Sequence, residues 1–266
     1  MSGLAGFFAS EREVVVLCLT RVQGSSPREQ GACMFVAPNS VWGTIGGGQL
    51  EYMAMDHARN MLRNAGRRDV MDVPLGPAIG QCCGGRVEVT LTRLTAAERR
   101  DALAKERADR AAQPRAMIFG AGHVGRALAR ALLPLPYRSV LIDSRPEELA
   151  MGQGDTLLTP LPEAEIRGAP AGAFFVIATH DHALDFLLAS EALARRDAAY
   201  IGMIGSTTKR ARFENWATGV DSSRLTCPMG TGHSRDKRPE VIAALIAAEM
   251  LTVTAKTSEG MEMDRG

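Results

Sequence analysis

The sequence predicts an α/β protein: an N-terminal α+β domain followed by a Rossmann-like domain built on a doubly wound parallel sheet. Three observations lead there. Residues 13–94 hold short β-branched runs broken by glycine and proline turns, with one long amphipathic stretch among them. From Ala116 onward, apolar runs alternate with helical patterns, as βα units require. The segment Gly120-Ala121-Gly122-His123-Val124-Gly125 stands between the first such run and the first such helix, where a dinucleotide-type glycine loop belongs.

Residues 14–20 are dense in β-branched and apolar side chains and read as the first strand, followed by a polar loop at 23–30. Residues 32–37 read as the second strand, which Pro38-Asn39-Ser40 turns into a third at 41–45. Gly46-Gly47-Gly48 then opens a helix in which Leu50, Met53, Ala54, Ala58, Met61 and Leu62 recur near helical spacing. Residues 69–74 and 86–94 supply two more strands; in the latter, Val87, Val89 and Leu91 alternate with Glu88, Thr90 and Thr92. Charged, alanine-rich residues 96–114 read as a helical linker between domains at 1–95 and 115–255. Beyond it, strands are expected at 116–119, 139–142, 174–178 and 200–204. A helix carrying Val124, Ala127, Leu128, Ala131 and Leu132 follows the first and stops at Pro134. Asp181 can cap a helix with Leu184, Leu187, Leu188 and Leu193, and Pro239 suits the first turn of a last apolar helix at 240–252. Residues 256–266 are polar and expected to form a disordered tail.

Composition narrows the function. A net charge of +1, with no clustered basic excess, argues against nucleic acid as a partner. No apolar run reaches the ~18 residues of a membrane span, and the start lacks the basic and apolar regions of an export signal, so no membrane partner and a cytoplasmic setting are expected. The five cysteines, Cys18, Cys33, Cys82, Cys83 and Cys227, are odd in number, so they cannot all pair, and a reducing setting leaves the thiols unbridged. No Cys-x-x-Cys pair offers a structural zinc site.

The chemistry concentrates in glycine-rich loops. In Gly80-Gln81-Cys82-Cys83-Gly84-Gly85 two adjacent cysteines sit between glycines, which let backbone N–H groups approach a ligand closely. Such a nest stabilises a thiolate, and a thiolate binds soft metals and sulfur species; a tight turn with one buried and one exposed thiol is the plainer account. Gly46, Gly47 and Gly48 before a helix make an anion-receptive end, where Glu51 is either a site residue or a capping carboxylate. Arg28, in Gly24-Ser25-Ser26-Pro27-Arg28, clamps an anion or pairs with a surface acid. In the second half Gly120, Gly122 and Gly125 supply the tight turn, phosphate approach and helix packing of the dinucleotide fingerprint, with Asp143 near its ~20-residue offset. His123 faces the phosphate region or caps the helix. Thr179-His180-Asp181-His182 offers a loose metal pattern or a helix cap. Ser206 and Lys209, in Gly205-Ser206-Thr207-Thr208-Lys209-Arg210, hold an anion or are a solvated helix start.

Taken in order, these segments resemble the XdhC/CoxI family of molybdenum-cofactor maturation proteins. The resemblance covers nearly the whole chain from Val14 to Leu251 and is carried by the loops just quoted, with Gly43-Thr44-Ile45-Gly46-Gly47-Gly48-Gln49-Leu50-Glu51 and Leu75-Gly76-Pro77-Ala78-Ile79-Gly80-Gln81-Cys82-Cys83-Gly84-Gly85 the most specific. It implies a protein that binds molybdenum cofactor (molybdopterin), supports replacement of an oxo ligand by sulfide, and delivers the product to apo-xanthine dehydrogenase or a related molybdenum hydroxylase. A cysteine desulfurase would supply the sulfur, and a homodimer is implied. On this reading Cys82, or Cys83 as a second ligand, contacts the molybdenum. The runner-up is an NAD(P)-dependent oxidoreductase using the Gly120–Asp143 fingerprint; a protein-binding module with idle loops is a third reading. The double-cysteine loop separates them, since a dehydrogenase has no evident use for it.

Overall fold

The β-branched run of the first half forms β1 (Val15–Gln23), the middle strand of an antiparallel sheet. Around it lie β2 (Cys33–Val36), β3 (Val41–Gly43), β4 (Arg68–Pro74) and β5 (Arg86–Arg93), in the order β3-β2-β1-β5-β4. This comes from a computed structural model that describes residues 3–76, 84–230 and 236–263. The chain divides into two compact units, Met1–Ala108 and Asp109–Gly266. In the first, Val15, Leu17 and Leu19 alternate onto one sheet face, where α2 (Gly48–Arg63) buries Leu50, Ala54, Ala58, Met61 and Leu62 against them. The opposite face is covered at one end by Leu4, Phe7 and Phe8 of α1 (Leu4–Ser10) and by Ala102 and Leu103 of α3 (Ala96–Ala112), around Phe35 and Trp42. The expected linker is thus largely this helix, and the two units divide within it.

One expectation fails in this unit. Cys18 and Cys33 are cross-strand partners of β1 and β2 with Cα atoms 4.2 Å apart, and they are joined by a disulfide. Strand register sets two side chains of the same face opposite each other, and an odd total carries no information about which two meet.

The second unit is a six-stranded parallel sheet. Its strands are β6 (Arg115–Phe119), β7 (Arg138–Asp143), β8 (Asp155–Leu158), β9 (Phe174–Ile177), β10 (Tyr200–Met203) and β11 (Leu225–Thr226), in the order β11-β10-β9-β6-β7-β8. The chain therefore reverses its direction across the sheet between β6 and β9, the switch point at which open α/β sheets bind ligands. On one face α4 (His123–Leu132) and α9 (Pro239–Met263) pack Leu128, Leu132, Ile246 and Met250 against the strands. On the other, Leu188 and Ala192 of α7 (His182–Ala194) join Phe213 of α8 (Thr207–Trp216). Short elements without a long apolar period, α5 (Pro146–Ala150), α6 (Pro162–Arg167), β8 and β11, escape the sequence reading, as does α1. Another expectation is overturned at the C-terminus: α9 continues to Met263, where residues 256–266 were expected to be disordered. A helix already nucleated extends at little cost, and Lys256, Glu259, Met261, Glu262 and Met263 are good helix formers.

Candidate functional site

All five strands of the first sheet are arranged so that the loops after β1, β3 and β4 leave from the same end. There three of the sequence-predicted segments meet. A Cβ on Gly46 would stand 2.5 Å from Pro27 Cγ, and one on Gly85 would stand 2.2 Å from the Ser25 carbonyl oxygen. Only glycine permits such approach, so Gly24-Ser25-Ser26-Pro27-Arg28 is wedged between the triple-glycine turn and the Gly84-Gly85 pair. The backbone of Leu75 donates to the Gly85 carbonyl (2.7 Å) and accepts from the Gly84 N–H (2.7 Å), tying together the two ends of the double-cysteine loop. Gln81, Cys82 and Cys83 themselves lie outside the described residues.

Gly46, Gly47 and Gly48 have φ of 133°, 88° and 63°, a left-handed run that presents successive N–H groups. Glu51 fills part of that nest. It accepts from Ile45 N (3.0 Å), Gly46 N (3.2 Å) and, closely, the Thr44 hydroxyl. Burial pushes its carboxyl up, but the Thr44 hydroxyl and the Gly47, Ile45 and Gly46 amides together outweigh it and hold the group below its usual value. Glu51 therefore caps the loop and helix, and the nest is already negatively charged. What stays open is different: no described residue lies within 4 Å of a Cβ placed on Gly47 or Gly84. The Ser26 hydroxyl oxygen is buried and has no hydrogen-bond partner among the described residues. Arg28 is exposed and lines an open groove of about 450 Å³ with Pro27, Glu29, Gln30, Gly31 and Ala32.

In the second unit the glycine loop follows β6 as expected. Gly120 has φ 109°, and its Cβ would lie 2.3 Å from the Ala178 carbonyl oxygen, so the turn is glycine-specific. A Cβ on Gly125 would lie 1.9 Å from the Gly120 carbonyl oxygen, whereas one on Gly122 meets no described residue within 4 Å. The first and third glycines thus serve packing, and the second leaves room for a ligand. His123 is exposed at the start of α4.

Asp143 ends β7 and is nearly buried, with both oxygens engaged. It accepts from Ala121 N (2.7 Å), from Arg145 N and Nε (both 3.0 Å) and from Arg145 Nη2 (2.9 Å). Burial raises its pKa, but the Arg145 and Ala121 donors more than offset this and hold it at about 2. Asp143 thereby braces the glycine loop. Lys209 is similarly engaged: its Nζ donates to the Ile204 carbonyl (2.9 Å) and closely to Asp185, while Ser206 caps α8 by accepting from Lys209 N (3.2 Å). Asp185 also accepts from Thr179 N (3.0 Å) and Oγ1 (2.7 Å), joining the ends of β9 and β10. This fully buried acid went unnoticed in the sequence, although it falls in phase with Leu188 and Ala192 on the buried stripe of α7. Asp181 caps α7 through Ala183 N (2.7 Å) and Leu184 N (3.4 Å), His180 and His182 are exposed, and no metal-binding cluster occurs among the described residues. Cys227 is buried, and burial pushes its thiol pKa up.

Fold and loops together define a two-unit protein: an antiparallel unit with a glycine-rich cluster at one sheet end, and a Rossmann unit with its glycine loop at the switch point. Residues 116–250 match the XdhC Rossmann domain family and residues 8–74 the XdhC and CoxI family. The chain belongs to the XdhC and CoxI family. It is 27% identical over 259 residues to the uncharacterized protein YqeB of Escherichia coli (strain K12), aligning 91% of its own length with 43% of that protein. The chain thus spans less than half of that relative. A crystal structure described as a xanthine dehydrogenase from Bacillus halodurans shares the fold, with a TM-score of 0.81, 18% identity and 95% of each chain covered. No helix among the described residues is long and apolar enough to cross a membrane.

Proposed function

We propose that this protein is an accessory factor of xanthine dehydrogenase or a related molybdenum hydroxylase: it binds molybdenum cofactor as cargo, supports its sulfuration and hands it to the apo-enzyme. A cysteine desulfurase supplies the sulfur, and two copies act together. The observation that carries this reading is the convergence of the Ser26 loop, the triple-glycine turn and the base of the double-cysteine loop at one sheet end. The cargo supplies a soft metal bearing an exchangeable oxo ligand and a pterin ending in phosphate. Cys82 or Cys83 suits the metal, since thiolate is a soft ligand. Ser26 and the open faces of Gly47 and Gly84 suit the polar pterin, and the buried Ser26 hydroxyl has no partner among the described residues. Glu51 already occupies amides of the first-unit nest, which makes that nest a poor receptor for the phosphate. The engagement of both Asp143 oxygens weighs against the NAD(P) alternative, which needs that acid for a ribose hydroxyl.

The test mixes purified protein separately with molybdenum cofactor and with NAD and measures retention of each through gel filtration. Cofactor should be retained and NAD should not, and Cys82→Ser should abolish retention or activation of a partner hydroxylase while the fold persists. A Cys82→Ser/Cys83→Ser protein that holds and delivers sulfurated cofactor normally would overturn the assignment.

A further inference from the structure

We propose that the Cys18–Cys33 disulfide is a thiol-reversible clamp on residues 20–32, the segment that carries Ser26 and Arg28. It regulates the site of the proposed function, and so rests on that reading for what the site holds, but not for the clamp itself.

Residues 20–32 are attached to the sheet at few points. Beyond Cys18 and Cys33 the pairing of β1 with β2 continues through only two backbone bonds, Leu19 N to Ala32 O (2.9 Å) and Gly31 N to Leu19 O (2.8 Å). The outer part of β1, from Arg21 to Gln23, keeps only its pairing with β5. The limb that returns to β2 therefore lacks a strand partner, and its order depends on three anchors: the bridge with its two neighbouring bonds, the Pro27 contact with Gly46, and the Ser25 contact with Gly85. Two of these anchors are the contacts that assemble the glycine cluster. The groove lined by Pro27 to Ala32 lies wholly within the stapled segment and ends next to Cys33.

The bridge is also placed to be reached. Cys18 and Cys33 lie on the sheet face opposite α2, on the same face as Val16 and Phe35 but nearer the loop end, and both are half-buried. Cys227, the free cysteine among the described residues, belongs to the other unit, is buried and has a raised thiol pKa, which makes it a poor exchange partner. An external dithiol can open it. Its thiolate attacks the sulfur of one cysteine, and the other leaves as a thiolate. The second thiol of the reductant then displaces the mixed disulfide. Two electrons and two protons pass to Cys18 and Cys33, and the reductant closes into its own disulfide.

Trypsin reads the state of the clamp without involving any cofactor, because Arg28 is exposed within the stapled segment. The full chain is purified without reductant and incubated with or without dithiothreitol. Alkylation and mass spectrometry then count the free thiols, and cleavage after Arg28 is followed in time. The pair should be bridged before reduction, and cleavage should rise about tenfold once it opens, because cleavage follows the population of the locally open segment. Cys18→Ser/Cys33→Ser should cleave at the faster rate with or without dithiothreitol. Cys18→Val/Cys33→Val, which suits a strand, serves the same purpose if the serine variant fails to fold. Equal cleavage in both redox states, or free Cys18 and Cys33 thiols after exposure to oxidised glutathione, would overturn the clamp. Cofactor retention measured alongside separates the two claims: retention absent in both states counts against the proposed function and leaves the clamp standing.

Discussion

Replacing Asp143 by Asn tests whether the brace under the glycine loop is electrostatic. The carboxylate is 5% exposed and faces the Arg145 guanidinium at 2.9 Å, so solvent screens the pair little. Its pKa falls from 3.8 to about 2 on folding, a gap worth about 2 kcal/mol at about 1.4 kcal/mol per unit. A carboxyl depressed by folding contributes stability above its unfolded pKa and loses it as pH falls through the folded value. The contribution should therefore be complete at neutral pH, shrink below about pH 4 and vanish near pH 2. Urea unfolding followed by Trp216 fluorescence in a Trp42→Phe background reports on the second unit alone, since the two tryptophans belong to different units. Asp143→Asn should be less stable by about 2 kcal/mol at pH 7, and the gap should narrow with acidification. A gap below about 0.5 kcal/mol at pH 7, or one that does not change down to pH 3, would refute the electrostatic account.

Two further substitutions separate packing from binding in the same unit. Gly125→Ala should cost about 3 kcal/mol in urea unfolding, because its methyl would lie 1.9 Å from a backbone oxygen. Gly122→Ala, with open space at that position, should stay within about 0.5 kcal/mol of wild type yet lower retention of a phosphate-bearing ligand in gel filtration. Lys209→Met strands the fully buried Asp185 without its cation and should cost about 3–5 kcal/mol, read as a lowered thermal midpoint; a smaller loss after Asp185→Asn/Lys209→Met than after the single change would confirm that the stranded charge is responsible.

Much of the fold was legible because its main elements carry strong periodicity. The alternation of Val87, Val89 and Leu91 and the stripe of α2 each specify an element and its buried face. The switch at Ala116 to βα alternation reveals the parallel sheet. β8 and β11 lie at the sheet edges and are too short to show a period, so only their neighbours define them. The site was legible as motifs but not as partnerships. The sequence marks Glu51, Asp143 and Lys209 as charges beside glycine loops, where a ligand anion or cation is the natural partner. In the folded chain each is instead satisfied internally, by loop amides, by Arg145 and by Asp185. Long-range pairings such as Cys18 with Cys33 likewise depend on register, which local patterning does not encode.

The position of α9 bears on the order in which the second unit assembles during synthesis. Glu249 on that helix accepts from the Tyr200 hydroxyl (2.7 Å) on β10 and from Gly230 N (3.0 Å) just beyond β11, and the same helix covers α4. These partners precede it in the chain, so each must leave the ribosome before the residue that satisfies it exists. Until α9 follows, Leu128 and Leu132 lack part of their cover and the Tyr200 phenol lacks its acceptor. The Rossmann unit is thus closed by its last helix, and a nascent chain stalled before Pro239 would present an unfinished apolar face to chaperones.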